Sequence, residues 1–476
     1  MAWLKHTYAT QLPHNLYTVQ APEPVRNPKM ILYNRALANE LGIAGHLGEE
    51  QKALAYLSGN KTVPGSQPIA QAYAGHQFGH FNRLGDGRAV LLGELETNQV
   101  MYDLQLKGSG QTAYSRRGDG RATFYSMLRE YLVSEAMHAL RIPTSRSLAL
   151  VKTTGPVYRE QIHEGGVLSR VAASHIRVGT FEYARFLGEA ENPEALLKYT
   201  IQRHYPELLH HPNHALALLE KVMQRQKALV LHWLRVGFIH GVMNTDNMAI
   251  SGETIDYGPC AFMNAYHPGT VFSSIDTQGR YAFANQPNIV YWNLSVFANA
   301  LLPLIDGKEE AASAKAQKVL DHFPEDFTKA YFEMMGNKLG IVNPVEEDRD
   351  LVNECLRLLA QLQVDYTNFF TALRRGGELI DKLRQEKAFE TWLLKWEKVR
   401  LRGASLAESA ALMAQTNPVV IPRNHLVEEV LQSAVSGDMR LFHRLMEELA
   451  TPYDDALSLQ MVPAKFDESY QTFCGT

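Results

Sequence analysis

Two short polar segments carry residue types suited to phosphate chemistry. The first is HGVMNTDN, at residues 240–247, and the second is DYG, at residues 256–258. Carboxylate and amide oxygens are the ligands that Mg²⁺ prefers in proteins, and a carboxylate can also accept the proton of a hydroxyl group. The two segments therefore supply candidate metal ligands and a candidate base in Asp246, Asn247 and Asp256.

A lysine and a glutamate upstream could hold the phosphates of a nucleotide. Lys107 ends a predicted strand, residues 100–107, whose alternation puts the apolar residues on one face and Lys107 on the other. Glu130 follows on a predicted helix, residues 122–140. Taken singly, each is more often a surface residue. Together they match the strand lysine and helix glutamate that pair in protein kinases.

The polar loop also follows the order of a kinase catalytic loop, with one departure. Kinases place the catalytic aspartate two residues after the loop histidine, and this chain has Val242 at that position. Valine cannot accept a proton, so Asp246 is the nearest carboxylate that could replace it. The alternative is that residues 240–247 form a polar turn whose side chains hydrogen-bond their own backbone.

Composition limits the function classes. Hydrophobic residues make up 45% of the 476 residues and charged residues 21%, which is typical of a globular protein. The net charge of −4 gives no electrostatic reason to expect a nucleic-acid partner. The chain has no run of eighteen apolar residues, no secretion signal and only three cysteines, so we expect no membrane association and a cytoplasmic location.

The pattern along the chain predicts an α+β fold of the two-lobed protein-kinase-like type with an additional, mostly helical C-terminal region. Residues 248–250 and 254–258 are predicted to form a tight hairpin, and residues 347–374 and 425–449 are predicted to be helical. The predicted parts are an N-terminal extension (1–65), an N-lobe with a sheet and one helix (66–155), a C-lobe with the catalytic loop (156–305) and a helical region with a cysteine-containing tail (306–476).

Longer motifs make a more specific comparison possible. They are YAGHQFG from residue 73, LGDGR from 84, LKGSGQTAYSRRGDGRA from 106, SRVAASHIRVGTFE from 169, GFIHGVMNTDNMAISGETIDYGP from 237 and QGRYAFANQP from 278. With these motifs the chain resembles the selenoprotein O family, kinase-like proteins that transfer AMP to other proteins. The resemblance covers nearly the whole chain.

The resemblance implies a role for each matching position. It implies an ATP molecule bound in a flipped orientation, so that its α-phosphate faces the acceptor. Asp246 would be the catalytic base, and Asn247 and Asp256 would bind Mg²⁺ or Mn²⁺. The positions implied in nucleotide binding are Gly85, Gly87, Arg88, Lys107, Glu130, Asp119, Gly120, Arg170, Arg177 and Asp256.

The activity implied is protein adenylylation, in which AMP moves from ATP to Ser, Thr or Tyr hydroxyls of protein partners and pyrophosphate is released. UMP transfer from UTP stays open, because nothing in the sequence identifies the base unambiguously. Two other functions compete with this one. Val242 favours a nucleotide-binding pseudokinase scaffold, and Asp246 could also serve an ordinary phosphotransferase.

The cysteines add a regulatory hypothesis. Many eukaryotic members of the resembled family carry selenocysteine near the C-terminus, where this chain has Cys474. Cys260 lies just after the DYG segment. A thiol beside the site and a thiol on the tail could form a regulatory disulfide between Cys260 and Cys474.

Overall fold

The computed structural model describes residues 3–463 and 466–473 and has an α+β fold. The strands are β1 (Tyr17–Val19), β2 (Lys29–Tyr33), β3 (Ile69–Gln77), β4 (His80–Gly85), β5 (Ala89–Thr97), β6 (Val100–Lys107), β7 (Ala122–Thr123), β8 (Arg146–Tyr158), β9 (Ile162–Ala172), β10 (Phe238–Ile239) and β11 (Ala261–Phe262).

Helices make up most of the rest. The helices up to residue 305 are α1 (Thr7–Gln11), α2 (Arg35–Glu40), α3 (Ala44–Leu47), α4 (Glu50–Leu57), α5 (Phe124–Ala139), α6 (Val178–Phe186), α7 (Glu191–His204), α8 (His214–Val236) and α9 (Gln286–Ile305). Those that follow are α10 (Glu309–Leu320), α11 (Phe323–Lys338), α12 (Arg349–Gln361), α13 (Tyr366–Arg375), α14 (Glu378–Leu383), α15 (Lys387–Arg400), α16 (Leu406–Thr416), α17 (Asn424–Val435), α18 (Arg440–Leu449) and α19 (Phe466–Ser469).

One large antiparallel sheet organises the first third of the chain. Its strand order is β1-β3-β5-β6-β9-β8-β2, with β4 paired to β3 and β7 paired to β9. Both β1 and β2 come from the first 65 residues, so the predicted N-terminal extension supplies two strands of this sheet. The boundary at residue 65 itself stays a prediction.

Strand β6 crosses the middle of the sheet with both faces buried. Leu104 and Leu106 point into an apolar core that includes side chains of α2, α3 and α4. The opposite face carries Asp103, Gln105 and Lys107, as the alternation predicts, yet all three are buried as well. Buried polar groups need partners, so this face of β6 marks the place where ionic contacts must form.

Helix α5 packs on the sheet through strands β8 and β9 and is the element that carries Glu130. It begins at Phe124 because the Thr123 side chain accepts a hydrogen bond of 3.1 Å from the Ser126 amide and so caps the helix. The predicted helix over 122–140 is therefore confirmed, except that its first two residues form strand β7.

Helix α8 leads directly to the polar loop of residues 240–247. The Asn213 side chain caps its start by accepting from the Leu216 amide at 3.0 Å. The helix ends at Gly237, whose φ of +76° is a left-handed conformation that favours glycine.

The hairpin predicted after the polar loop is wrong. Ala249 instead forms an isolated bridge with Arg177, and Thr254 forms one with Thr144. The short apolar runs at 248–250 and 254–258 read as two strands of one hairpin, but each finds its partner in an earlier part of the chain. Local pattern alone cannot distinguish these two pairings.

The last third of the chain is helical, as predicted, but each of the two predicted helices is divided into two shorter ones. Residues 347–374 divide into α12 and α13, and Asp365 caps the start of α13 by accepting from the Asn368 amide at 2.8 Å. Residues 425–449 divide into α17 and α18 at Gly437, whose φ is +103°. Helices α17 and α18 both pack against α5.

One helix of the described residues, spanning 283–305, is long and apolar enough to cross a membrane by length and composition alone. Half of that window is buried inside the fold. A core helix of a globular protein passes the same test, so this helix is weak evidence for a membrane span.

Candidate active site

An ionic cluster forms on the polar face of β6, where three distant parts of the chain meet. Nζ of Lys107 lies 2.6 Å from Oε2 of Glu130 on α5. The same Nζ lies 2.6 Å from Oδ1 of Asp256. The predicted lysine–glutamate pair is therefore present in the fold, and the aspartate of the DYG segment shares the lysine with it.

Arg170 on β9 joins the cluster from the neighbouring strand. Its Nη1 donates to Asp256 Oδ1 at 2.8 Å and to Glu130 Oε1 at 3.3 Å. Its Nη2 donates to Gln105 Oε1 at 2.6 Å, because Gln105 and Arg170 are direct cross-strand partners in β6 and β9. The antiparallel register thus sets where the guanidinium points.

Arg177 enters from the start of helix α6 and touches both polar segments. Its Nη1 lies 3.2 Å from Asp256 Oδ2 and 2.5 Å from the backbone oxygen of Asp246. Its guanidinium also stacks over the Tyr73 ring at 4.4 Å. One nitrogen of Arg177 therefore bridges the loop of residues 240–247 and the DYG segment.

The charges of the cluster set the ionisation of Asp256. Burial alone would raise its pKa, but the positive charges of Lys107, Arg170 and Arg177 hold the pKa well below the ordinary value. Asp256 is thus a carboxylate in the folded protein. Three cations meet the carboxylates of Asp256, Glu130 and Asp86, and ammonium and guanidinium donors of this kind also suit the anionic oxygens of a ligand.

Asp256 also has an unusual backbone. Its φ is +63°, a left-handed conformation that few residues other than glycine adopt and that aspartate tolerates better than most. The side chain therefore leaves the chain in a direction that an extended residue could not give it. The contacts with Lys107, Arg170 and Arg177 hold it there.

Asp246 lies in a close-packed position beside this cluster. A Cβ atom on Gly75 would come within 2.2 Å of Asp246 Oδ1, and a Cβ on Gly179 would lie 3.5 Å from Asp246 Cα. The glycines of β3 and α6 therefore let two backbones approach the loop. Burial raises the pKa of Asp246 to about 6, although the positive charge of Arg177 opposes the shift.

The loop of residues 240–247 is held by its own contacts. His240 Nε2 donates to the carbonyl of Ile255 at 3.0 Å, which ties the loop to the residue before Asp256. Val242 is buried, and its carbonyl accepts from Asn247 Nδ2 at 2.9 Å. The backbone at position 242 therefore orients Asn247, and this contact is of the kind that the polar-turn alternative predicts.

The oxygen atoms of this loop fit a hard divalent metal ion. Oδ1 of Asp246 is buried and has no hydrogen-bond partner among the described residues. The bond to Val242 engages the nitrogen end of the Asn247 amide, so the oxygen is the end left for a ligand. Within residues 3–463 and 466–473, however, no three His, Cys, Asp or Glu side chains form a ready-made metal cluster.

The LGDGR turn between β4 and β5 lies next to the cluster. A Cβ on Gly85 would meet the Tyr114 ring at 2.3 Å, and one on Gly87 would meet the Tyr114 carbonyl at 2.9 Å. Both glycines are therefore needed for the turn to pack on the loop that follows β6. Arg88 is half-buried, and its carbonyl accepts from the Gly108 amide at 2.7 Å.

The second glycine-rich turn, RRGDGR, has its polar contacts elsewhere. Asp119 is bound by Arg159, whose Nη1 lies 3.0 Å from Asp119 Oδ2. Gly120 packs on Gly110, and its carbonyl accepts the Gly110 amide at 3.0 Å. The side chain of Asp119 thus pairs with the β8–β9 hairpin rather than with Lys107 in this conformation.

Sequence reasoning missed three residues that shape the site: Asp86, Gln105 and Gly75. Asp86 lies between the two glycines of LGDGR, and its Oδ2 accepts from Gln105 Nε2 at 3.2 Å. Burial raises the pKa of Asp86 to about 6, against the opposing charge of Arg177. The available signal was the alternation of β6, which puts Gln105 on the same face as Lys107.

Of the two cysteines in the disulfide hypothesis, the structure describes Cys260. Cys260 is buried, and burial raises the pKa of its thiol to about 11, against the charge of nearby Arg129. A thiol of this kind reacts slowly. Cys474 lies outside the described residues, so a disulfide between the two stays a prediction.

The fold and the site define an α+β protein with an ionic centre built around Asp256. The family model described as protein adenylyltransferase SelO matches residues 3–450, and the chain belongs to this family. The motif resemblance is therefore confirmed.

Curated relatives agree with this assignment. The chain is 48% identical over 479 residues to the protein nucleotidyltransferase YdiU of Bacillus cereus (strain AH187), covering 99% of this chain and 98% of the relative. It is 47% identical over 478 residues to the protein of the same name from Clostridium perfringens (strain 13 / Type A), covering 99% and 97%. The chain is thus a nucleotidyltransferase, and its substrate is a nucleotide.

Proposed function

We propose that this enzyme is a protein adenylyltransferase that transfers AMP from ATP to Ser, Thr or Tyr hydroxyls of other proteins. The observation that carries the proposal is the convergence of Lys107, Arg170 and Arg177 on Asp256, beside the buried carboxylate of Asp246. The printed name of the matching family, protein adenylyltransferase, supports AMP as the transferred group.

A two-lobed, kinase-like arrangement is part of the proposal. In support of it, the strand lysine Lys107 pairs with Glu130 on the helix that follows, and the polar loop follows the long helix α8 and the short strand β10. This is the order of parts in kinases. The predicted lobes are residues 66–155 and 156–305, with residues 306–476 as a helical addition. Strand β9 pairs between β6 and β8 in the large sheet, so the end of the first lobe would lie after Ala172 rather than at residue 155.

The phosphates of the nucleotide would lie against the cations of the cluster. Lys107, Arg170 and Arg177 already hold carboxylate oxygens, and phosphate oxygens suit the same donors. The LGDGR turn, with Gly85, Gly87 and Arg88, would line the same space. Asp119 and Gly120 are proposed to contact the nucleotide from the second glycine-rich turn.

Asp246 is proposed as the base. The acceptor oxygen forms a bond to the α-phosphorus, the bond from that phosphorus to the bridging oxygen of pyrophosphate breaks, and the hydroxyl proton passes to Asp246. A carboxylate whose pKa is raised to about 6 is a better proton acceptor than an ordinary aspartate and is still ionised at neutral pH. General base catalysis of this kind contributes about 10²- to 10⁴-fold in rate.

Asn247 and Asp256 would hold Mg²⁺ or Mn²⁺. A bound divalent ion supplies positive charge at the phosphate oxygens, where negative charge increases during transfer. The oxygen end of the Asn247 amide is left for such an ion, whereas the oxygens of Asp256 are bound by Lys107, Arg170 and Arg177 and would have to be shared with it.

Three other functions differ from this proposal in the group that is transferred or in transferring none. UMP transfer from UTP would use the same phosphate contacts, and the relatives' printed name, protein nucleotidyltransferase, is compatible with either base. Phosphate transfer would need the γ-phosphate at Asp246 rather than the α-phosphate. A pseudokinase scaffold would bind nucleotide and transfer nothing.

One labelling experiment separates these outcomes. The protein is incubated with protein substrate mixtures and with ATP labelled at the α- or the γ-phosphate, and in parallel with α-labelled UTP. Label on protein from α-labelled ATP alone is the expected result. Label from γ-labelled ATP would identify a phosphotransferase, label from UTP alone a uridylyltransferase, and no label a scaffold.

Variants of the site residues test whether the transfer depends on the proposed base and on the proposed metal ligand. Asp246→Asn keeps the shape of the side chain and removes the base, and Asp256→Ala removes a metal ligand, so each should lose at least 10²-fold in transfer. Asp438→Ala is the matched control, because Asp438 is an exposed aspartate paired only with its neighbour Arg440 on the described surface. Full activity in Asp246→Asn would contradict the assigned base.

A further inference from the structure

A surface of exposed aromatic rings lies beside the polar loop and is used by none of the steps above. We call it the hairpin patch and define it by Phe78, Phe81, Phe186, Trp292, Arg83 and Arg280. Phe78 and Phe81 are on the β3–β4 hairpin and are 37% and 38% exposed, and Phe186 at the end of α6 is 53% exposed. Large aromatic side chains that stay exposed together indicate an interaction surface.

Three rings of the hairpin patch form a continuous row through His76, and Phe78 packs beside it on Tyr281. Phe186 packs against Phe81 with ring centroids 5.3 Å apart, and His76 links Phe81 to Trp292 at 5.5 Å on either side. His76 is fixed because its Nδ1 donates to the buried carboxylate of Glu182. The row is therefore a formed surface on the folded protein.

The row is attached to the loop that carries Asp246. The His76 amide donates to Thr245 Oγ1 at 2.8 Å, and Thr245 is the residue before Asp246. The Phe78 amide donates to Asn244 Oδ1 at 3.2 Å. A peptide bound across the patch would therefore lie within a few residues' reach of the proposed base.

The patch is also cationic. Arg83 stacks over the Phe186 ring at 5.6 Å, and Arg280 stacks over the Trp292 ring at 4.8 Å. Neither arginine forms an ion pair with any carboxylate of the described residues, and Nε of Arg280 is buried without a hydrogen-bond partner there. Of the carboxylates nearby, Glu182 is engaged by His76, and Asp276 accepts from the backbone amides of Arg280 and Tyr281.

We propose that the hairpin patch binds the acceptor protein through an acidic segment with apolar or aromatic side chains next to the modified hydroxyl. Carboxylates of the segment would pair with Arg83 and Arg280, and its apolar side chains would pack on the rings of Phe81 and Phe186. This inference rests on the proposed function, because it names the substrate class of the same site.

The test uses two peptide probes of equal length with a single tyrosine. One has Glu and Phe around the tyrosine, and the other has Lys in place of each Glu. Binding is measured by fluorescence anisotropy without nucleotide, and transfer is measured as kcat and KM with α-labelled ATP. The acidic peptide should bind more tightly and have the lower KM.

Charge reversal on the enzyme provides the sharper comparison. Arg83→Glu together with Arg280→Glu should raise the Kd and KM for the acidic peptide by roughly three- to tenfold per arginine, with little change in kcat. The same variant should bind the lysine peptide better than the parent does. Arg440→Glu with Arg444→Glu, on the exposed face of α18, is the matched control and should change neither value.

If the double variant does not fold, Arg83→Glu alone carries the test, because Arg83 is exposed and lies over the partly exposed Phe186 ring. Equal binding of both peptides to parent and variant would overturn the docking inference. So would a dimer of the parent that Arg83→Glu dissolves in sedimentation, because the patch would then bind a second copy of the chain. Selective peptide binding without any transfer would keep the inference and contradict the proposed function.

Discussion

Lys107 and Asp256 are separated by 149 positions in the chain, yet Nζ of Lys107 donates a 2.6 Å hydrogen bond to Oδ1 of Asp256. The two residues come from a central strand and from the segment after the polar loop. Their contact joins the sheet to the helical part of the molecule. Because Lys107 is buried and charged and Asp256 is half-buried, each would be costly to leave unpaired.

The partner of Lys107 on α5 can be tested by a neutral substitution. Glu130→Gln removes one of the two carboxylates that hold Lys107 and Arg170, so the cations lose their fixed positions. We expect transfer to fall by at least about tenfold, because placement of reacting groups is sensitive to small shifts. The measurement is kcat/KM for label transfer from α-labelled ATP.

Glu135→Gln is the matched control for that substitution. Glu135 is on the same helix and is paired with Arg146 at 2.8 Å, outside the cluster. Both variants should lower the melting temperature, and only Glu130→Gln should lower transfer. An equal loss of transfer in the two variants would mean that Glu130 acts through the stability of α5 alone.

The β3–β4 hairpin can be tested at the glycine that touches Asp246. In Gly75→Ala the new Cβ would lie 2.2 Å from Asp246 Oδ1, so the carboxylate or the hairpin must move. Because a displacement of about 1 Å can cost about 10²-fold in rate, we expect a loss of that order in kcat. Gly155→Ala on β8 meets no atom within 4 Å and should keep the parent's kcat, and the prediction fails if the two variants behave alike.

Hydrogen bonds between the C-terminal helices and α5 predict that a substitution on α17 changes the stability of the protein. Glu428 on α17 accepts hydrogen bonds from Tyr125, Arg129 and Tyr470. Arg129 in turn donates to the Cys260 carbonyl at 2.6 Å, just after the DYG segment. Glu428→Ala should therefore lower the free energy of unfolding by about 1–3 kcal/mol.

The same substitution should also change local dynamics. Hydrogen exchange should become faster in α5 and in residues 257–260, because both lose the shared anchor at Glu428. Glu429→Ala is the control, because Glu429 is exposed next to Glu428 on the same helix. Unchanged exchange in α5 of the Glu428 variant would show that the C-terminal helices do not brace it.

Glu253 predicts a pH dependence of stability. It lines a cavity of about 320 Å³ together with residues of α2, α7 and α8, and its carboxylate accepts from the Ala173 amide at 2.9 Å and from Ser251 at 2.8 Å. Burial raises its pKa from 4.5 to about 7, against these hydrogen bonds. The ionised form is therefore less stable in the folded protein than in the unfolded chain.

The direction of this pH dependence follows from the difference between the pKa of Glu253 in the folded protein and its pKa in the unfolded chain. Below about pH 4.5 the group is protonated in both states, and its contribution to stability is lost as the pH rises to about 7. The full difference corresponds to at most about 3 kcal/mol, and the partial exposure of Glu253 to the cavity reduces it. Glu253→Gln should therefore raise the melting temperature relative to the parent more at pH 8 than at pH 5. Glu220→Gln, at an exposed site, is the control and should change the melting temperature by the same amount at pH 8 and at pH 5. An equal shift for Glu253→Gln would contradict the prediction.

Much of the candidate site could be predicted from local pattern. The alternation of β6 put Lys107 on the polar face, and the apolar spacing of α5 indicated a helix around Glu130. The match to kinase order then joined these residues to Asp256. What the pattern could not give was the pairing of residues 248–258, because short apolar runs pair equally well with several partners until the rest of the fold excludes all but one.

The sequence by itself therefore determined the residue types, the elements that carry them and, through its motifs, the family. Only the tertiary structure decided that Arg170 and Arg177 share Asp256 with Lys107, that Gly75 lies against Asp246 and that the rings of the hairpin patch adjoin the polar loop. The physical reason is that helix and strand formation depend on neighbours in sequence. Contacts across a hundred residues depend on sheet register and on how the buried charges can be paired.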